Sequence, residues 1–432
     1  MKKTKLLISI MLIVGLFFLM APTVGAAEKI YAGKTLNFLV VQPHVVGGNN
    51  LGKMFEEETG CKVVVSAVPL TNCIEKPVLD VTSGVGYFDN IEYWYPGLGT
   101  MVNNNVLVDV TDWWNSKAVE LDFADYMEDF VNAYTLLDGR RYGVPFDGDL
   151  WLLWYNKIIF KKYNLNPPAT WDEYLEYAKI ITEGEKGNNV YGCGIMGYKD
   201  PFVLVGSFLS RLGSYGGSFF DSNGEPAVNS PEAVAALEGM IEQGKYAYSK
   251  PTAVHFDELM SGWTSGKIAM VEFWTDMGSM SDNPEESSIV GQWGAVPIPK
   301  GPGPKGQTIA PANAGFGIGV STLSKNKDIA MAFMEFAARP DVCLKYNTIV
   351  GGIDPVRWST LNSQKYIDFV SPEVANATKT AHEHSVFWPT NAEWFDLQEP
   401  LTDNLSLALS GDKSPKQALD DTQEAWKEIL KK

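Results

Sequence analysis

The sequence is short of the side chains on which most enzyme chemistry rests. Its 432 residues hold four histidines (His44, His255, His382, His384) and four cysteines (Cys61, Cys73, Cys193, Cys343). There is no GxxxxGK(S/T) loop to cradle a phosphate, no HExxH to hold zinc and no GxSxG elbow to present a nucleophilic serine. Nucleotide chemistry and histidine-based catalysis lose most of their support. His382 and His384 have no cysteine or third histidine beside them, so a solvated helix face is expected there rather than a metal site. The cysteines are scattered and form no CxxC pair. If residues 62 to 67 form a strand, Cys61 and Cys73 lie about 20 Å apart at its ends, so neither a disulfide framework nor a cofactor is expected. Basic residues are also few, 35 against 52 acids, for a net charge of −17. Such a surface repels phosphate backbones, so no nucleic-acid partner is expected.

Long apolar runs are scarce too. The one that stands out, Leu6 to Met20, follows Lys2, Lys3 and Lys5 and precedes the small residues Val24-Gly25-Ala26-Ala27. That order reads as a cleavable export signal over residues 1–26 rather than a membrane span, which needs about 20 apolar residues. Its removal takes the net charge to −20. No cysteine near the cleavage site could accept a lipid, so the mature chain is expected free and soluble outside the cytoplasm. Roughly 400 residues exceed one ordinary domain and fit two of about 200.

The rest of the chain alternates strand and helix signals. Leu36 to Gln42 reads as a buried strand, followed by a helix with Leu51, Met54 and Phe55 on one face and Gly60 at its end. "KVVVSAV" is a second strand. A helix is expected after Asn72 with Glu75 at the capping-box position, although Pro77 weakens it. "FDNIEYW" is a third strand, ended by Pro96. This order implies a parallel α/β sheet. A second α/β region follows: Thr170 and Glu173 form a capping box before "WDEYLEYAKII", "VYGCGIM" reads as a strand, Ser230-Pro231 starts a helix, and Ile268 to Trp274 is a buried strand. Residues 297–315 are the richest Pro/Gly stretch and read as an inter-domain connection. "FGIGV", a helix from Ser324 to Ala338 and a closing helix from Ser414 complete the pattern.

Aromatic residues, with 13 Trp and 18 Tyr, exceed the expected needs of two cores. Several stand where strands give way to loops: Trp94 and Tyr95, Trp274 with Asp276 after it, and Trp388, Glu393 and Trp394 in "FWPTNAEWFD". Open α/β sheets bind ligands outside the carboxyl ends of their strands. A pyranose offers a C–H face for stacking and hydroxyls for fixed acceptors, so aromatics with acids at strand ends match a sugar or polyol. Covering a sheet edge is an equal alternative for Trp94 and Tyr95, and Trp151 and Trp154 alternate with leucines as sheet packing would. Asp147 and Asp149, two apart in an extended segment, face one way and can grip one ligand. Hydrolysis instead demands two acids on opposite sides of a bond, about 5 to 9 Å apart, for which Glu393 is the available partner of Asp149. "GGIDPVRW" brings Asp354 and Arg357, the latter a ligand group or a hinge tie.

Taken together, "VPFDGDLWLLWYNKIIFKKYNLNPPATWDEYLEYAKIIT", "GKIAMVEFW", "SKNKDIAMAFMEFAARPDVCLKYN", "GGIDPVR" and "VPLTNCIEKPVLDVTSGVGYFDNIEYWYP" resemble, in order and spacing, the signatures of the extracellular solute-binding proteins of carbohydrate ABC importers, the maltose-binding-like group. The resemblance covers roughly residues 34 to 430. It implies a periplasmic-binding-protein-like α/β fold, two lobes joined by a hinge with ligand in the cleft: a first lobe from residues 34–145 and 305–350, a second from 146–300 and 351–432. It implies ligand contacts from Asp147, Asp149, Trp274, Trp94, Tyr95, Asp354 and Arg357, with His44 and Asn72 added after the first two strands, and the strand-end pattern adds Asp276, Trp388, Glu393 and Trp394 as candidates. The implied function is capture of a sugar, polyol or short oligosaccharide by a monomer that closes on it and delivers it to the permease subunits of an ABC importer in the inner membrane, without a cofactor. The missing lipobox cysteine points to a periplasm, or to secretion. Two rivals remain at this point, a secreted glycosidase using Asp149 and Glu393 and a surface adhesin.

Overall fold

The computed structural model describes residues 29–349, 351 and 353–431; the export signal lies outside them, as does Gly352 of the "GGIDPVR" turn. Among the described residues no helix is long and apolar enough to cross a membrane.

Two sheets organise the chain. The first is built from Lys62–Val68, Thr35–Val41, Asn90–Trp94, Phe316–Val320 and Val144–Asp147, in that spatial order. Its first three strands are parallel, as the strand and helix alternation requires. Phe316–Val320 inserts antiparallel between Asn90–Trp94 and Val144–Asp147, so the sheet is mixed rather than wholly parallel. A strand that returns late in the chain enters from the opposite end, which local periodicity does not reveal. The second sheet sets Trp151–Asn156 between Met270–Trp274 and Trp293–Val296, all antiparallel.

Each lobe thus draws on separated pieces of chain, and the chain crosses between them more than once. The first crossing is three residues long, between Asp147, which ends a strand of the first sheet, and Trp151, which begins one of the second. Another runs from Ala310–Ala312, which pairs with Ser385–Phe387, to Phe316. This places part of the Pro/Gly stretch where a connection was expected.

Local signals explain most boundaries. Thr170 and Glu173 form the capping box of Trp171–Gly184. Ser230 caps Pro231–Gly244 and Ser414 caps Pro415–Leu430, each with proline at the first helical position, where its missing N–H is no loss. Gly60, at φ 81°, ends Val45–Thr59 in the left-handed conformation that glycine tolerates.

Two expectations fail locally. Glu75 begins its helix instead of closing a capping box on Asn72, so Pro77 falls in the first turn and breaks nothing. "VYGCGIM" makes only single bridges, from Tyr191, Cys193 and Gly194. Its glycines are pressed against neighbours: a Cβ on Gly192 would meet Ala178 O at 2.1 Å and one on Gly194 would meet Leu259 at 2.5 Å. All four cysteines are free and buried.

The aromatic surplus also has a structural outlet. Every tryptophan is buried or half-buried, and Trp154, Trp171, Trp263 and Trp426 belong wholly to the core. His382 is not on a solvated face: it is buried against Phe130 at 4.6 Å, and burial drives its pKa down to about 3.

Candidate functional site

At the carboxyl end of the first sheet Glu92 and Trp94 stand two apart on one strand and so share a face. Phe316 pairs with Trp94 on one side and Asp147 on the other, which sets the three in a row along that edge. The turn after the first strand brings His44 over them, 5.0 Å from the Phe316 ring. Glu92 fixes the imidazole: one carboxylate oxygen lies 2.5 Å from His44 Nδ1 while the other accepts from the Val41 amide at 2.7 Å. The remaining ring nitrogen stands 3.7 Å from Asp147 Oδ2. Burial alone would lower the His44 pKa, but Glu92, Asp147 and Asp276 outweigh it and raise it to about 9.

The crossing supplies Asp147 and Asp149 on either side of Gly148. The Asp354 amide donates to Asp147 Oδ1 at 2.6 Å, and the Gly148 amide donates to the Asp354 carbonyl at 3.2 Å. Only glycine fits between them, since a Cβ on residue 148 would stand 2.4 Å from the Pro355 carbonyl oxygen. From the second sheet, Thr275 donates its hydroxyl to the Asp354 carboxylate, and Asp276 follows directly. Four aspartates from three chain segments therefore meet where the lobes join. Burial raises all four: with repulsion from its neighbours it takes Asp149 well above the usual carboxylate range and Asp147 and Asp276 to about 7, the last two held back by His44, while Asp354 is raised by burial and held back by hydrogen bonds with Asp149 and Thr275 and by His44.

Above this floor runs a wall of rings. Trp388 lies 5.2 Å from Trp94, which lies 5.5 Å from Phe202. Phe202 stacks on Trp274 at 5.5 Å, and Trp274 meets Trp151 edge-on at 5.2 Å. The indole N–H groups of Trp94, Trp151, Trp274 and Trp388 have no acceptor among the described residues, although buried donors are ordinarily paired. A cavity of about 590 Å³ opens here, with Leu70, Thr71, Ile74 and Trp94 on the first lobe facing Phe202, His255 and Phe395 on the second.

The structure thus assembles His44, Asp147, Asp149, Asp276, Asp354, Trp94, Trp274 and Trp388 of the residues expected at the site. The others go elsewhere. Tyr95 is fully buried, stacked on Tyr134 at 4.6 Å, and its hydroxyl donates to Ala312 O and accepts from the Trp388 amide. It pins the two lobes together. Arg357 is a buried structural tie: its guanidinium donates to the carbonyls of Leu121, Asp122 and Ala338 and lies 3.8 Å over Tyr126. Trp394 is interred between Phe219 and Trp426 in the second lobe's core. Asn72 is exposed, its side chain accepting from Thr71. Glu393 is exposed beside Asn391 on an outer surface shared with Asp396 and Glu399. The carboxylate pair a glycosidase would need is therefore not assembled from Asp149 and Glu393.

Sequence reasoning missed Glu92, Phe202 and Thr275. Glu92 carried a signal, an acid in the middle of the apolar "NIEYW" strand; Phe202 carried none. His44, Asp147 and Asp149 also offer atoms within 4.8 Å of one another, as a metal would require. Glu92 engages Nδ1, which leaves Nε2 as the ring nitrogen turned toward Asp147.

Two α/β lobes built from interleaved chain segments, closing on a polar floor and aromatic walls, define a clamp-type ligand-binding protein. Residues 33–342 match the bacterial extracellular solute-binding proteins, and the chain belongs to that family. Among curated relatives, the probable amino-acid ABC transporter periplasmic-binding protein y4oP of Sinorhizobium fredii is 25% identical over 384 residues, 85% of this chain and 83% of that protein. The sn-glycerol-3-phosphate-binding periplasmic protein UgpB of Salmonella typhimurium is 23% identical over 79% of each chain. Among solved structures, a solute-binding protein of Agrobacterium radiobacter K84 in complex with ribitol has a TM-score of 0.79 at 24% identity, over 92% of this chain and 98% of that one. Maltose-bound MalE3 of T. maritima also reaches 0.79, at 22% identity over 90% and 98%.

Proposed function

We propose that this protein is the periplasmic capture component of an ABC importer, taking a polyhydroxylated ligand (sugar, polyol or short oligosaccharide) between its lobes and presenting the closed complex to the permease. One observation carries the reading: where the lobes join, buried aspartates and indoles with unpaired N–H donors gather at the same strand ends, beside a cavity that Trp94 and Phe202 line. A hydroxyl both donates and accepts, so a ring or chain of hydroxyls satisfies both sets while its C–H face lies on Trp94, Phe202 or Trp274. Ligand touching both lobes favours the closed state by its differential contacts. The family supports the class, and the ribitol and maltose complexes are examples of the fold holding such guests.

The test is a thermal-shift and calorimetric screen of sugars and polyols on the mature protein, with product analysis in parallel. Saturable stabilisation by one hydroxylated class, unchanged ligand, and a smaller radius of gyration on binding are expected. Turnover of a glycoside, or tight binding of a polymer without compaction, would refute the reading.

A further inference from the structure

We propose that the guest carries a cationic amine, an amino sugar or amino polyol whose ammonium group sits among Asp147, Asp149, Asp276 and Asp354. The inference rests on the reading of the interlobe crevice as the binding site and adds the charge of its occupant. It begins with a charge count. Five carboxylates, with Glu92 the fifth, gather around one imidazole, and Glu92 already contacts that imidazole at 2.5 Å. Among the described residues the four aspartates have no arginine or lysine of their own: Arg357 is spent on main-chain carbonyls and on Asp125, and Arg211 is bound to Glu272 at 2.7 Å.

Hydrogen-bond donors are as scarce. Asp147 Oδ1 receives the Asp354 amide and Asp354 receives the Thr275 hydroxyl, but Asp147 Oδ2, fully buried, has no hydrogen-bond partner. Its nearest cationic atom is His44 Nε2, at 3.7 Å. Asp276 keeps partial exposure, so the cluster is not sealed. A phosphorylated or carboxylated guest would meet four acids here. A neutral polyol would supply donors one at a time and leave the aspartates holding their protons. An ammonium brings three donors and a positive charge together, and charge-assisted hydrogen bonds are about twice as strong as neutral ones. The indoles remain to take the hydroxyl oxygens of the same guest, and the faces of Trp94 and Trp274 add cation–π attraction.

The groups facing this point are His44 from the turn after the first strand, Glu92 from the third, Asp147 and Asp149 from the first crossing, Asp276 after the second-sheet strand, Asp354 from the "GGIDPVR" segment, and the unpaired hydroxyls of Tyr134 and Tyr366. An arriving ammonium takes the place of protons shared by the aspartates, so binding should release protons.

The experiment is titration calorimetry of the mature protein, in two buffers of different ionisation enthalpy, with matched probes: D-glucose, D-glucosamine and N-acetyl-D-glucosamine; D-sorbitol and D-glucamine; ribitol and 1-amino-1-deoxyribitol. An amine should bind about tenfold or more tighter than its hydroxyl counterpart, the difference between a charged and a neutral hydrogen bond. It should release protons on binding, and N-acetylation should abolish the preference. Asp149→Asn should also abolish it, with Asp276→Asn run in parallel in case the first variant misfolds. Neutral probes binding as tightly as amines would overturn the amine and leave the sugar or polyol reading standing; silence from both arms would overturn both. Amine binding unaffected by either variant would mark general attraction to an acidic surface and also overturn the proposal.

Discussion

Raising the pH should weaken the ligand-free protein through the aspartates that the fold buries, and Asp147 sets the magnitude. Its carboxyl titrates at about 7 in the folded protein, because of burial and of Asp354 beside it, against an ordinary value of 3.8. Between these values the folded chain holds a proton that the unfolded chain has released, so stability falls as pH rises. Each pH unit is worth about 1.4 kcal/mol, which makes the loss from Asp147 alone about 3 kcal/mol between pH 5 and 7. His44 acts above that window. With its pKa raised from 6.5 to about 9, its contribution is complete below pH 6.5 and disappears as pH rises through 9. Asp147→Asn keeps the acceptor for the Asp354 amide and removes the charge, so the variant should gain about 2–3 kcal/mol on the wild type over pH 5 to 7. Urea unfolding at pH 5, 6, 7 and 8 measures both curves. Wild-type stability that is flat or rising from pH 5 to 7, or a variant curve parallel to it, would refute the reasoning.

Other substitutions separate binding from architecture. Trp274→Ala should cost about 3–5 kcal/mol of stability as well as affinity, because the indole is wedged among Trp151, Phe202 and Phe273; Trp274→Phe, compared by melting and calorimetry, should keep most of the stability and still lose affinity. Arg357→Met leaves three carbonyls without their donor and should cost about 3–5 kcal/mol in urea unfolding, with the affinity of the folded fraction unchanged. Gly148→Ala forces the first crossing away from Pro355 and should weaken ligand binding measured by calorimetry more than it lowers the melting point.

Much of the fold was legible because its signals are local. Capping boxes at Thr170, prolines at helix starts and the Gly60 stop depend on a few neighbouring residues, and the structure keeps each one. The site was legible in part for a related reason. Asp147 and Asp149 flank a glycine between two strands, and Trp274 ends a strand, so their positions at sheet edges follow from pattern. Arg357, Tyr95 and Trp394 were misassigned because a polar or aromatic residue near a strand end has the same sequence signature whether it faces a crevice or a core. Which one applies depends on what the other lobe brings to it.

The sequence by itself determined that there would be two α/β lobes, an acid pair at a crossing and indoles at strand ends, since periodicity and turn chemistry act over a few residues. Tertiary structure alone decided that Glu92 and His44 would meet across 48 positions, that Asp147 and Asp354 would meet across 207, and that Glu393 would be left outside. Those pairings arise where the chain recrosses the lobe junction. The electrostatics of the site follow from burying these groups together, which no single stretch of chain encodes.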